Sequence, residues 1–173
     1  QDNGPLRAAA FAQAERVAQD YSRALDTPEG PSRALRMKHA MFDKLVYSKI
    51  RAAMGASVKY CISGGSAMSP DLLHFFRGMG VTVYEGYGLT ETTAAAAVNF
   101  DDNVIGSVGR PVGGMSARIN DDGEILLRGE TLFDGYWNNS EATAENIDQE
   151  GWFNTGDLGE LLDSGHIVIT GRK

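Results

Sequence analysis

The chain has 173 residues, 42% of them apolar and 23% charged, with a formal net charge of −7. That length suffices for one domain or parts of two around a real core, and the composition is that of a globular protein, neither disordered nor fibrous. The acidic balance argues against nonspecific nucleic-acid binding, which needs a basic surface, and no apolar run is long enough to span a bilayer.

The charge is unevenly spread. Residues 1–60 carry ten Lys/Arg against six Asp/Glu, and residues 61–173 carry six against seventeen. The basic first third reads either as solvated helix faces or as a peripheral contact with an anionic membrane. The single Cys61 excludes an internal disulfide framework and fits a reducing compartment, hence a cytoplasmic location. Within "VKYCIS" it reads as a small core residue.

In chain order, apolar positions 11, 14, 17, 21 and 25 recur at helical spacing until Pro28, Gly30 and Pro31 break the pattern. Ser32 is a plausible N-cap for a second helix, with Leu35, Phe42, Leu45, Val46, Ile50 and Ala53 on one stripe and Gly55 as its stop. Residues 1–55 therefore form a helical segment. "SVKYCIS" reads as a buried strand. Ser69 then caps a short helix with Pro70 at its first position and Asp71 near the positive dipole end. Leu72, Leu73, Phe75 and Phe76 give this helix its apolar side, and Gly78 and Gly80 end it. "VTVYE" is the next strand. Strand, helix and strand with short connections imply parallel strands, which makes 56–103 part of an α/β subdomain.

From Val104 onward the texture is β, so 104–173 reads as a mostly antiparallel, barrel-like subdomain. "ARIN" and "EILLRG" form a hairpin around Asp122 and Gly123, and "ELLD" and "HIVITG" form another around Ser164 and Gly165. Asp121, Asp122 and Glu124 resemble a calcium loop only superficially, because Arg118 stands where its first ligand belongs.

Parallel strands discharge "SGGSAMS" and "EGYGLTE" at the same sheet edge, where open α/β folds bind ligands. Gly64 and Gly65 let backbone approach a ligand. Tyr87 offers a flat face for stacking on a base, worth ~0.5–1.5 kcal/mol beyond burial. Thr90 can hydrogen-bond a phosphate, and Glu91 is a hard oxygen ligand for magnesium. The set suits a magnesium nucleotide. Familiar alternatives fit less well: position 91 lacks the third glycine of a dinucleotide fingerprint, no Lys-Ser or Lys-Thr phosphate loop occurs, and "GGSAM" around Ser66 lacks the closing glycine of a nucleophile elbow. His39, His74 and His166 sit within helical or strand patterns and read as structural.

"SGGSA", "YGLTE", "GEILLRG", "GYWNN", "GWFNTGD" and "GRK" follow one another between Ser63 and Lys173. In that order they resemble the adenylate-forming superfamily, and the longer strings "YEGYGLTETT", "GYWNNSEATAE" and "GWFNTGDLGEL" are most similar to its bacterial long-chain fatty acid–CoA ligases. The resemblance implies a large N-terminal domain of that superfamily, with ATP, Mg2+ and CoA as reaction partners and a fatty acid as substrate. Gly64, Gly65 and Ser66 would line the adenine with backbone, and Glu85, Gly86 and Tyr87 would form the opposite wall. Thr90 would contact the α-phosphate, Glu91 would hold magnesium, and Asp157 would accept hydrogen bonds from the ribose hydroxyls. Arg172 would add a second ribose-side contact, and Gly88 would lie against the acyl carboxylate. "GGSAMS" departs mildly from the commoner "GGAPL" wording, at positions whose contacts are largely backbone.

The superfamily's upstream phosphate loop ending in Pro-Lys-Gly does not occur here, and its carboxy-terminal lid would begin just after Lys173. The chain is thus expected to be an internal piece, inactive alone. Two alternatives stay open: a fatty acyl-AMP ligase that passes the acyl group to a carrier protein, and a noncatalytic nucleotide-binding module.

Overall fold

The computed structural model describes residues 4–173. By contact the chain divides into two compact units, Gln1–Cys61 with Met68–Val83, and Ile62–Ala67 with Tyr84–Lys173.

The first unit is built around a long helix, α1 (Gly4–Ala24), against which α2 (Arg33–Phe42) and α4 (Pro70–Gly78) pack. Its core gathers Ala14, Val17, Ala18, Phe42, Tyr47, Phe75, Met79 and Val81. Small residues on α1 let the helices approach closely. A Cβ added to Gly78 would fall 2.0 Å from the Ala18 carbonyl oxygen, so only glycine fits at that crossing. Ser32 caps α2 by accepting from the Leu35 amide, and Ser69 caps α4 through the Leu72 amide, both as the sequence indicates.

The second helix is not continuous. A π-helical turn, Asp43–Tyr47, separates α2 from α3 (Ser48–Ala53). The wide turn rotates the helix face by an extra residue, so a stripe read at 3.6 spacing goes out of phase. Tyr47 becomes fully buried, while Leu45 stands 56% exposed and Ala53 faces solvent. The Tyr47 hydroxyl donates to the Ala14 carbonyl at 2.6 Å. Burial, followed by the nearby Asp43 charge, pushes its pKa up to about 12.

Two histidines of this unit are structural. His39 stacks on Tyr21 with centroids 3.9 Å apart and donates to the Gly78 carbonyl at 2.6 Å. The His74 Nδ1 lies 3.0 Å from the Ser22 hydroxyl; burial first, then Arg23 and Arg77, hold its pKa below the usual imidazole value.

Strands β1 (Tyr60–Gly64), β2 (Thr82–Tyr87), β3 (Ala97–Val98) and β4 (Arg110–Pro111) form one sheet in that order. β2–β3 and β3–β4 are antiparallel, and the sheet as a whole is mixed. β1 is shorter and more open than the sequence suggests. It starts at Tyr60, and Tyr60 and Ile62 are 59% and 65% exposed. An alternating strand needs a layer on each side to be buried throughout, and here one face is open. Cys61, on the other face, is only partly buried against the first core.

The second sheet is antiparallel and half-barrel-like, in the order β5 (Met115–Ile119), β6 (Glu124–Gly129), β7 (Phe153–Leu161) and β8 (Ile167–Arg172). The first hairpin forms as expected, with Gly123 at φ +84° and its amide bonded to the Asn120 carbonyl at 3.0 Å. A short helix not anticipated in this β-rich stretch, α5 (Ser140–Asn146), is capped by Asn139. Its sequence, SEATAEN, has no apolar stripe, so periodicity gives no helical signal. β7 begins at Phe153, eight residues before the end of "ELLD"-type pairing at Leu161, and this places the "NTGD" stretch inside a strand. The core of this unit joins Tyr87, Ala96, Ala97, Val108, Met115, Ile125, Leu127 and Ile167. His166 is 1% exposed, with Nδ1 2.9 Å from the Ser164 hydroxyl and Nε2 donating to the Asp102 carbonyl at 3.1 Å.

Candidate functional site

Every residue assigned a site role from the sequence falls in the second unit. The two glycine loops meet there. A Cβ built on Gly64 would lie 3.4 Å from the Gly86 carbonyl oxygen, and one on Gly86 would lie 3.9 Å from that of Ser63. Gly65 turns with φ +85° into open space, and Ser66 is exposed beside it. Gly86 pairs with Val98 across β2–β3, which leaves its Cβ direction 3.4 Å from the Val98 side chain. Glu85 is 6% exposed, and its carbonyl accepts from the Asn99 amide at 2.9 Å.

Tyr87 ends β2 and reaches across to β7. Its hydroxyl donates to Asp157 Oδ2 at 2.6 Å, while Arg172 Nε donates to Asp157 Oδ1 at 2.8 Å. Asp157 and Arg172 are register partners on β7 and β8, so sheet pairing itself sets this contact. Tyr87 is 8% and Asp157 5% exposed, whereas the Arg172 side chain is 76% exposed. Burial, and then the bond to Asp157, raise the Tyr87 pKa, so the phenol stays a donor. The Asp157 carboxylate raises that of Arg172. A carboxylate with one charged and one neutral donor still has lone pairs for two more. The Tyr87 ring belongs to the core of the unit, and only a small part of its surface is open to a ligand.

A bulge shapes the strand beside Asp157. Gly156 has φ +72°, and its amide donates to Glu124 Oε1 at 2.8 Å. Glu124 is buried, and Lys173 Nζ holds its other oxygen at 2.8 Å and Asp122 at 2.5 Å. This Gly156–Glu124–Lys173 bracket has no local signature, because its members lie far apart in the chain.

After Tyr87 the chain turns sharply. A Cβ on Gly88 would stand 1.4 Å from the Ala94 carbonyl oxygen, so the fold of the loop requires glycine there. Thr90–Thr92 form a 3-10 turn, with the Leu89 amide bonded to the Thr92 hydroxyl at 2.9 Å. Thr90 is exposed and Glu91 half-buried. Glu91 Oε1 accepts from the Tyr136 hydroxyl at 2.9 Å. Burial and the Glu91 carboxylate raise the Tyr136 pKa. Tyr136, in the "GYWNN" string, carries no local signal of this role, since its partner Glu91 lies 45 positions away.

Among the described residues, no three His, Cys, Asp or Glu side chains gather to cage a metal. A single half-buried carboxylate with one oxygen held fits magnesium that keeps phosphate and water ligands, since Mg2+ takes only one or two carboxylates beside a nucleotide.

The family model described as "AMP-binding enzyme" matches residues 13–137. A long-chain-fatty-acid–CoA ligase, FadD15, of Mycobacterium bovis is 52% identical over 164 residues, covering 94% of this chain and 27% of that protein. Long-chain-fatty-acid–CoA ligase 5 of Rattus norvegicus is 37% identical over 149 residues, covering 79% of this chain and 22% of that one. The crystal structure of the N-terminal domain of FACL13 from Mycobacterium tuberculosis matches with TM-score 0.58 at 32% identity, over 64% of this chain and 31% of that domain. This chain thus spans about a quarter of the length of the curated relatives it matches. The family model matches well over half of the chain, and the chain belongs to the AMP-binding enzyme family.

Proposed function

We propose that this chain carries part of the nucleotide site of a long-chain fatty acid–CoA ligase. In the reaction, a fatty acid carboxylate oxygen attacks the α-phosphorus of ATP and pyrophosphate leaves. The CoA thiol then attacks the acyl carbon, and AMP leaves with the electron pair of the broken C–O bond. The observation that most supports this reading is the Tyr87–Asp157–Arg172 trio beside the glycine loops. It offers an anchored carboxylate to two adjacent hydroxyls, as a ribose presents them.

In this reading the backbone of Gly64, Gly65 and Ser66 faces Glu85, Gly86 and Tyr87 across the adenine. Thr90 donates to the α-phosphate, and Gly88 keeps the approach of the acyl carboxylate clear. Magnesium would be held by Glu91 together with phosphate oxygens, and supplies charge neutralisation when bound. The chain's own contribution is positioning, which lowers the barrier by removing the entropy of encounter.

The test is ATP–pyrophosphate exchange by the full-length enzyme carrying Asp157→Asn, with the 173-residue chain alone as an inactive baseline. The KM for ATP is expected to rise about 10- to 100-fold with kcat little changed, matching about 1.5–3 kcal/mol for hydrogen bonds to a charged group. An unaltered KM removes the ribose role, and exchange by the isolated chain overturns the partial-site reading. Formation of oleoyl-CoA, against transfer to an acyl carrier protein, decides the acceptor.

The partner surface we propose for the first unit is an anionic bilayer. Among the described residues no helix is long and apolar enough to cross a membrane. Met37, Met41 and Leu45 nevertheless stand 76%, 48% and 56% exposed along one helical side, with exposed Arg33, Lys38, Lys44 and Lys49 around them. That is the pattern of a helix lying in a lipid interface. Cosedimentation of the full-length enzyme with phosphatidylglycerol vesicles should exceed that with phosphatidylcholine, and Met41→Glu should abolish the difference. Equal sedimentation with both lipids would count against it.

A further inference from the structure

Glu91 lies in a loop that the rest of its unit grips from one side. The Phe133 amide donates to the Glu91 carbonyl at 2.8 Å, the Thr93 hydroxyl donates to the Thr131 carbonyl at 2.9 Å, and the Tyr136 hydroxyl donates to the Glu91 carboxylate at 2.9 Å. Such anchors are needed, because Thr93 and Ala94 both have positive φ, +53° and +89°. Left-handed backbone is costly for residues with a Cβ and persists only where surroundings enforce it. The first holds the loop's backbone and the second its Thr93 side chain. Among the described residues, Tyr136 is the one whose bond reaches the carboxylate itself.

Tyr136 is itself fixed. Its amide donates to the Thr143 hydroxyl at 3.0 Å, and its ring meets that of Phe133 edge-on at 4.8 Å, which in turn meets Phe153 edge-on at 5.8 Å. A phenol whose backbone is tied to Thr143 and whose ring rests on Phe133 can hold one carboxylate oxygen in place and set the direction of the other.

Resting on the adenylate reading above, we propose that Tyr136 is the positioning residue for Glu91. It fixes Oε1 and so aims Oε2 at the divalent cation that accompanies the nucleotide. The "GYWNN" stretch thereby gains a part in metal binding, acting through Glu91. Partners of this kind typically shift metal affinity 10- to 100-fold when removed.

The experiment is Tyr136→Phe in the full-length enzyme, a change that keeps the ring against Phe133. Free Mn2+ is measured by electron paramagnetic resonance in the presence of a nonhydrolysable ATP analogue. The expected result is Mn2+ affinity weakened about 10-fold, with the affinity for metal-free nucleotide unchanged and kcat restored at saturating Mn2+. In a Glu91→Gln background the same change should shift Mn2+ affinity no further. Unchanged Mn2+ affinity in an enzyme that still forms adenylate overturns the positioning role alone. An equal shift in the Glu91→Gln background assigns the effect to general packing and also overturns it. Wild-type enzyme that binds no nucleotide and exchanges no pyrophosphate overturns this inference together with the function it rests on.

Discussion

Glu91→Ala in the full-length enzyme is expected to lower kcat/KM for adenylation on the order of 10³-fold, the scale of losing one preorganised electrostatic contact at a reacting phosphate. The fold should tolerate the change. Glu91 is half-buried, and its carboxylate accepts a hydrogen bond from the Tyr136 hydroxyl. Losing that bond costs about 1 kcal/mol of stability, and the remaining anchors of the loop run through the Glu91 carbonyl and Thr93. Steady-state adenylation with a thermal melt of the same preparation separates the two effects. If kcat/KM is unchanged, Glu91 has no part in the chemistry; if the melt collapses with it, the residue is structural.

Gly88→Ala should be nearly as damaging for a different reason. The added methyl would sit 1.4 Å from the Ala94 carbonyl oxygen and 2.5 Å from its carbon. Both belong to backbone, so the loop from Gly88 to Ala96 has to move. That loop ends on a hydrogen bond from the Ala96 amide to the Tyr87 carbonyl at 2.8 Å, and Tyr87 holds Asp157. A displacement of about 1 Å in a reacting site costs on the order of 10²-fold in rate, and overpacking of this kind costs about 1–3 kcal/mol in stability. Gly113→Ala is the control, because nothing lies within 4 Å of its Cβ direction; its stability should stay within about 0.5 kcal/mol of the parent. Adenylation by Gly88→Ala at the parent rate would show that the loop relaxes freely and that the observed packing is unimportant.

How much of this was legible in the sequence depends on the range of the interaction. The Ser32 and Ser69 caps, the Asp122–Gly123 turn and the strand–helix–strand order were all readable, because each depends on residues within a few positions of one another. The π-helical turn at Asp43–Tyr47 was not: nothing local distinguishes it, and it is settled by which aromatic ring, here Tyr47, fills the space beside Ala14. The exposed face of β1 was equally hidden, since Ile62 looks the same in a string whether or not a layer covers it.

The sequence by itself determined the loops and the identities of their chemistry-bearing groups: glycines at 64, 65, 86 and 88, a carboxylate at 91 and another at 157. Only the tertiary structure decided who holds them. Tyr87 meets Asp157 across 70 positions, and Tyr136 meets Glu91 across 45. Turns and caps are set by short-range sterics and hydrogen bonds, whereas a donor for a distant carboxylate exists only once sheet register and core packing have fixed both ends.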